Sequence, residues 1–356
     1  MAKRTISKTI AFFPVAFAAL LLLFVCVLFP GCYTLREGTT MLRYLSRAVP
    51  LEETGDIEFI ELVHDIRRFA EEELGLNMSR NFTRYVQLDR NFLAAVVNAS
   101  APDSFTRHMW RFPVVGAMPY KGFFNVEHAR RERERLERQG LDVWIRGVGA
   151  FSTLGWFRDP LYSFMRYYPP YQLADLIIHE QVHATVWIRG QTQFNEELAQ
   201  FIGEEGARIF IESRFGRDSK EYRQMMDSKP NRRAFMAFLQ ELISELEELF
   251  SRGANLGLSR EEILLERQQI ISAAQKRFDA EYEERFTNDN FRGFSTLPIN
   301  NAYLDLFRLY HAGDNFFEDL FERSGRDLPA FITAARTITR RGGDPRAQLV
   351  RALENE

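Results

Sequence analysis

Cysteine is almost missing: the 356 residues contain two, Cys26 and Cys32, both near the N-terminus. The remainder of the chain therefore has no disulfide and no thiolate metal site. An excess of one charge is missing too. Against 49 acidic side chains stand 46 basic ones, so nothing suggests a nucleic acid or another polyanion as partner. No internal repeat stands out, and histidine is scarce at six. What is abundant is ordinary core material, 46% hydrophobic residues with 32 phenylalanines that recur in pairs such as Phe12-Phe13, Phe123-Phe124 and Phe316-Phe317. They read as core and groove lining. The length admits one large domain or two small ones.

Long apolar runs are confined to the start. "MAKRTISKTI" carries Lys3, Arg4 and Lys8, and the chain then runs without a charge from Ile10 to Pro30. About 20 such residues cross about 30 Å of hydrocarbon as a helix. The positive-inside rule keeps the three basic residues in the cytoplasm and sends the rest to the other, periplasmic side. Signal anchor, cleaved signal peptide and lipoprotein signal are all open. Gly31 before Cys32 suits a bacterial lipobox processed at Cys32, whereas Phe29 and Pro30 do not. The expected organisation is a signal or anchor segment over 1–32 and a single domain over 33–356, mixed α/β to 160 and helical from 161.

Helical spacing of apolar residues runs from Tyr33 to Leu76, most clearly in "IEFIELVHDIRRFAEEELGL". Between Arg84 and Phe124 aromatic and β-branched residues punctuated by proline and glycine predict two to four short strands. "NVEHARRERERLERQG" predicts a charged helix stopped at Gly140, and "LDVWIRGVGAFST" another strand. Beyond Tyr171 nearly everything is helical, with breaks expected at Gly190, Gly216, Pro230, Gly257, Pro298, Gly313 and Gly342-Gly343. "RAFMAFLQELISELEELFSRG" reads as an amphipathic packing helix rather than a coiled-coil arm. The fold class is α+β, predominantly helical with a small sheet in the N-terminal half.

Chemistry concentrates in "LADLIIHEQVHATVWIRGQTQFNEELAQFIGEEG", Leu173 to Gly206. His179-Glu180-Gln181-Val182-His183 fits H-E-x-x-H. Residues four apart share a helix face, about 6 Å between Cβ atoms, so both imidazoles can reach one small cation. Glu180 is rotated by about 100° and can hold a water as general base instead of the metal. Two histidines and a glutamate among Leu176, Ile177, Val182, Val186 and Trp187 would be costly to bury without partners, and they do not make a solvated face. A single Zn²⁺ is the expected cofactor, and such a site needs a third ligand and one open position. After the stop at Gly190 a second helix begins, with Thr192 as its expected N-cap and Glu196 in its first turn, returned beside the histidines by a short loop. Glu196 is the expected third ligand, Glu197 points elsewhere, and Glu204 or Glu205 stands in reserve. The competing reading of Glu196 is an acid complementing the helix dipole.

"HEQVH…FNEELAQ" resembles the gluzincin metallopeptidases, in which H-E-x-x-H is joined by a glutamate from an N-E motif on the next helix. More closely, the chain resembles a bacterial family of putative aminopeptidases. The likeness is carried by Gly31-Cys32-Tyr33, "FPVVGAMPYKGFF" (Phe112 to Phe124), "AFSTLGWFRDP" (Ala150 to Pro160), the two zinc motifs, and "PINNAYLDLFRLYHAGDNFFEDLF" (Pro298 to Phe321). It spans nearly the whole chain and implies a zinc peptidase acting on a peptide or protein substrate. Two departures stand out. Only 12 residues separate His183 from Glu196, and Gln200 stands where thermolysin-like enzymes place a histidine-orienting aspartate.

The resemblance also implies a substrate-pairing strand edge, for which "RGVGAFSTLG" (Arg146 to Gly155) is the candidate by order. For stabilising the oxyanion, Tyr310 and Tyr120 are candidates, each equally readable as a packed aromatic. His64, His108, His128 and His311 are isolated. The expected activity is removal of N-terminal residues, with Glu204 or Asp159 as possible anchors for a free amine. An endopeptidase of the same mechanism, or a non-catalytic membrane-tethered scaffold, is the alternative.

Overall fold

The computed structural model describes residues 33–77, 80–112, 116–149, 159–308, 316–338 and 343–354. The apolar run Ile10–Pro30, Cys32, Tyr310, His311, Gly313 and Gly342 lie outside the described residues. Residues up to 47 and residues 48–356 form two separate units. The described part of the first is helix α1 (Tyr33–Ser46), whose Thr39 and Thr40 hydroxyls both donate to the Arg36 carbonyl. No helix among the described residues is long and apolar enough to cross a membrane.

The second unit opens with strand β1 (Val49–Pro50) and a 3-10 turn (Leu51–Thr54). Asp56 then caps helix α2 (Ile57–Glu72), accepting from the Phe59 N–H at 3.2 Å. Phe59, Val63, Ile66, Phe69 and Ala70 form its buried stripe. The helical pattern read from Tyr33 to Leu76 is thus interrupted. Pro50 cannot donate to a helix ladder, and Gly55 takes φ of 67°.

Strands β2 (Arg84–Val86), β3 (Ala94–Ser100), β4 (Trp110–Phe112), β5 (Gly116–Met118) and β6 (Tyr120–Phe123) follow. Helix α3 (Val126–Glu137), strand β7 (Asp142–Val148) and strand β8 (Leu161–Tyr162) complete the mixed region. The strands make three small sheets, ordered β1-β2-β8, β6-β3-β7 and β4-β5. In the central one β3 runs antiparallel to both neighbours, with Asn98 opposite Tyr120 on one side and Trp144 on the other. Its unbroken apolar run Ala94–Val97 is buried because both faces are covered. Charged helix α3 stops ahead of Gly140, which takes φ of 78°. Its Glu132 accepts from Trp110 Nε1 at 2.8 Å and from Arg135 at 2.8 Å. Burial opposes ionisation there, but these bonds win and hold the carboxyl at about 2.

After a 3-10 turn (Ser163–Tyr167) the described chain is helical: α4 (Pro170–Thr185), α5 (Thr192–Phe215), α6 (Lys220–Leu256), α7 (Arg260–Ala280) and α8 (Tyr282–Arg285). Helices α9 (Asn301–Arg308), α10 (Phe316–Arg323), α11 (Leu328–Ile338) and α12 (Pro345–Glu354) finish it. The protein is α+β and predominantly helical. The phenylalanines build its core. Phe235 and Phe238 of α6 interlock with Phe278 of α7 and with Phe294, ring centroids 4.8 to 5.9 Å apart.

Pro230 does not break a helix as expected; it lies inside α6. The ring removes one ladder bond. Next to it, buried Asn231 donates to the Asp227 carbonyl at 2.6 Å and to Thr287 Oγ1 at 2.8 Å, and accepts from the Thr287 N–H at 2.8 Å. The two bonds to Thr287 tie this part of the helix to a residue outside it.

Candidate metal centre

Helix α4 starts on Pro170, whose fixed φ and missing N–H suit a first helical position. Leu173, Ala174, Ile177, Ile178 and Val182 bury one flank of it. Its C-terminal end is held from outside. The Asn77 N–H donates to Thr185 Oγ1 at 2.9 Å, and Arg336 of α11 donates to the Gly75 carbonyl at 2.6 Å and Asn77 Oδ1 at 2.9 Å. The helix bearing both histidines is thus fixed at its C-terminal end.

Gly190, at φ of 80°, reverses the chain into α5. Thr192 is the first residue of that helix and not its cap; Gln191 takes the cap position without a side-chain bond. Glu196 therefore falls just beyond the first turn, which holds no acid. The dipole reading of Glu196 weakens accordingly.

The two helices touch backbone to backbone, and the reason is Gly203. A Cβ there would lie 2.6 Å from Asp175 Oδ1 and 3.2 Å from His179 Cβ. One at Gly206 would lie 3.0 Å from Leu74 and 3.2 Å from Ile178. Only glycine permits this crossing, and it brings Glu196 over the histidine face. Nothing in the H-E-x-x-H or N-E pattern announced these glycines.

His179 Nε2 and His183 Nε2 lie 3.2 Å apart. Glu196 Oε2 is 3.6 Å from the first and Glu196 Oε1 3.5 Å from the second. A tetrahedral ion with bonds of about 2.0–2.2 Å requires its donors to stand about 3.3–3.6 Å apart. The two carboxylate separations, one to each oxygen of Glu196, fall in that range, and the imidazole pair sits just under it. Their donor chemistry, two imidazoles and a carboxylate, is that of a borderline-soft divalent ion such as zinc. His183 has 3% of its side chain exposed, His179 24% and Glu196 53%, so the site opens to solvent on the glutamate side.

Hydrogen bonds from both histidines hold the Glu196 carboxyl at about 2, so it is ionised at every working pH. His179 is pulled down by burial, but Glu196, Glu180 and Asp175 outweigh that and raise it. Asp175, one turn before His179, is pushed up to about 6 by burial and by Glu204.

The remaining candidates separate cleanly. Glu180 lies on α4 beside His179, partly exposed. Glu197 points away, bonded to Arg346 of α12 at 2.6 Å. Glu204 is bound by Arg232 at 2.7 Å and Gln200 at 3.1 Å, and Glu205 by Arg208 at 2.6 Å, so neither reserve ligand reaches the histidines. Gln200 thus faces Glu204 and does not do an orienting aspartate's work. Tyr120 sits on β6, 36% exposed. The proposed pairing strand is seen as β7 up to Val148, and 150–158 lie outside the described residues. His64 stands 3.4 Å from Glu52 and His108 packs edge-on against Trp110, both away from the centre. Unforeseen is Asn195, 1% exposed, which accepts from the Ile188 N–H at 2.9 Å and donates to the Ile188 carbonyl at 2.8 Å. Its place beside Glu196 in the N-E pair was the available signal.

Among the described residues, His179, His183 and Glu196 are the one group of three or more histidine, cysteine or acidic residues able to hold a metal. No curated protein and no solved structure matches the chain. A family model described as "Putative aminopeptidase" matches residues 46–350, most of the length, and the chain belongs to that family.

Proposed function

We propose that the protein is a zinc-dependent peptidase that removes residues from the amino terminus of peptides, tethered by its N-terminal segment to a membrane on the non-cytoplasmic side. The observation that carries the reading is the convergence of His179, His183 and Glu196, with donor atoms 3.2 to 3.6 Å apart. His179, His183 and Glu196 would hold the zinc ion, which would supply Lewis acidity for attack on the scissile carbonyl. Glu180 orients that water and accepts its proton, then delivers it to the leaving amine. Its position one residue past His179 supports this role, since a residue rotated by about 100° on the helix need not be a ligand itself. The Glu196 side opens to solvent, so an extended peptide approaches over that carboxylate. Tyr310 is assigned on sequence grounds to the developing oxyanion. The apolar run Ile10–Pro30 supports the tether, with Cys32 as a lipidation point.

The test uses the zinc-loaded full chain in detergent. Glu180→Gln is expected to lower kcat by about 10²–10⁴-fold while the zinc content stays that of the wild type. Undiminished hydrolysis by this variant would refute the assignment. Cleavage of free but not N-acetylated peptides marks the aminopeptidase; equal cleavage of both marks an endopeptidase with the same machinery.

A further inference from the structure

We infer that Asn195 is a positioning residue of the metal centre, fixing Glu196 and His183 relative to each other through the α4–α5 connection. The inference rests on the zinc-site reading above and adds to it what sets the affinity. Glutamate loses considerable rotamer freedom on ordering, up to about 2 kcal/mol, and Glu196 is half exposed, so its backbone must be held firmly for the carboxylate to find the ion. The N-terminal end of α5 has no side-chain cap to do this.

Asn195 does it instead. Both ends of its buried amide engage one residue, Ile188, at 2.9 and 2.8 Å. Ile188 follows Trp187, whose ring lies edge-on to the His183 ring at 5.5 Å. A closed circuit results: Glu196 is bonded to Asn195, Asn195 grips Ile188, and the neighbouring Trp187 braces His183. A primary amide of this length both accepts from the N–H and donates to the C=O of the same residue. An aspartate keeps the acceptor but sets a charge against the Ile188 carbonyl. Partners that orient ligands in this way typically change metal affinity about 10- to 100-fold when removed.

Zinc dissociation constants, measured on the full chain by chelator competition, test this. Asn195→Ala and Asn195→Asp are expected to bind zinc about 10- to 100-fold more weakly than wild type. Asn231→Ala, which deletes an equally buried asparagine clamp away from the ligands in α6, is expected to lose thermal stability and keep wild-type affinity. Wild-type affinity in both Asn195 variants, or an equal loss in Asn231→Ala, would overturn the inference. In the zinc-free wild type, the Ile188 amide should resist hydrogen exchange. Rapid exchange there would also overturn it, whether or not the variants fold. If Glu196→Gln binds zinc as tightly as wild type, the zinc-site reading itself fails, a result that does not involve Asn195.

Discussion

Asp175 shows how one carboxyl can tune this site without joining it. Burial and the nearby Glu204 raise it from 3.8 to about 6, against the opposing pull of His179, Arg232 and Lys229. In the folded state it therefore holds its proton to a higher pH than in the unfolded chain. Stability is full below about pH 4, is lost as the pH rises toward 6, and the penalty is constant above that. Asp175→Asn removes the charge but keeps the shape. In the zinc-free protein it is expected to raise stability at pH 8 by about 1–3 kcal/mol, after allowance for the partly exposed setting, and to change little at pH 4. Denaturant titrations at the two pH values check this, and an equal effect at both would contradict it. The histidine pair was readable at this scale because four-residue spacing on a helix is local geometry. Glu196 was readable because a short connection returns the chain. Asp175 was not, because its shift depends first on its burial against α5 and then on Glu204, which that helix carries.

At the scale of elements, the centre is a property of one helix crossing. Asp175 and His179 of α4 meet the bare backbone of α5 at Gly203. Gly203→Ala places a methyl 2.6 Å from Asp175 Oδ1 and 3.1 Å from the Asp175 carbonyl oxygen. The carboxyl can rotate aside but the backbone carbonyl cannot, so the helices must separate. The expected cost is about 1–3 kcal/mol of stability together with weaker zinc binding, read by thermal unfolding and chelator competition. An alanine variant with wild-type affinity would show that the crossing does not set the ligand spacing. The sequence contained Gly203 and Gly206 in plain view, yet a glycine inside a helical pattern states only that something approaches closely, never what. Pro230 failed in the opposite direction. Proline argues for a helix end from local geometry, yet α6 runs through it, with the neighbouring Asn231 bonded to Thr287, 56 positions along the chain. The N-cap of α5 was misplaced by one residue for the usual reason that a threonine at a boundary fits either side of it.

Over the whole molecule, the division into a strand-bearing first half and a helical second half was legible from periodicity. The arrangement into three small sheets was not, because β1 and β8 find each other only through β2. The helical half does two jobs. Helices α6 and α7 bury the phenylalanine core, while Arg346 of α12 bonds Glu197 of α5 and Arg336 of α11 bonds Gly75 and Asn77, the latter bonded to Thr185 of α4. The family match runs from 46 to 350, whereas the group able to hold a metal spans only 179 to 196. The site is held by parts far from it in sequence. X-ray absorption on the zinc-loaded full chain reaches the central claim most directly. Two imidazoles and carboxylate oxygen at about 2.0–2.1 Å are expected, with one imidazole lost in His183→Ala and the carboxylate lost in Glu196→Ala. A zinc shell without imidazole, or one unchanged in both variants, would contradict the account.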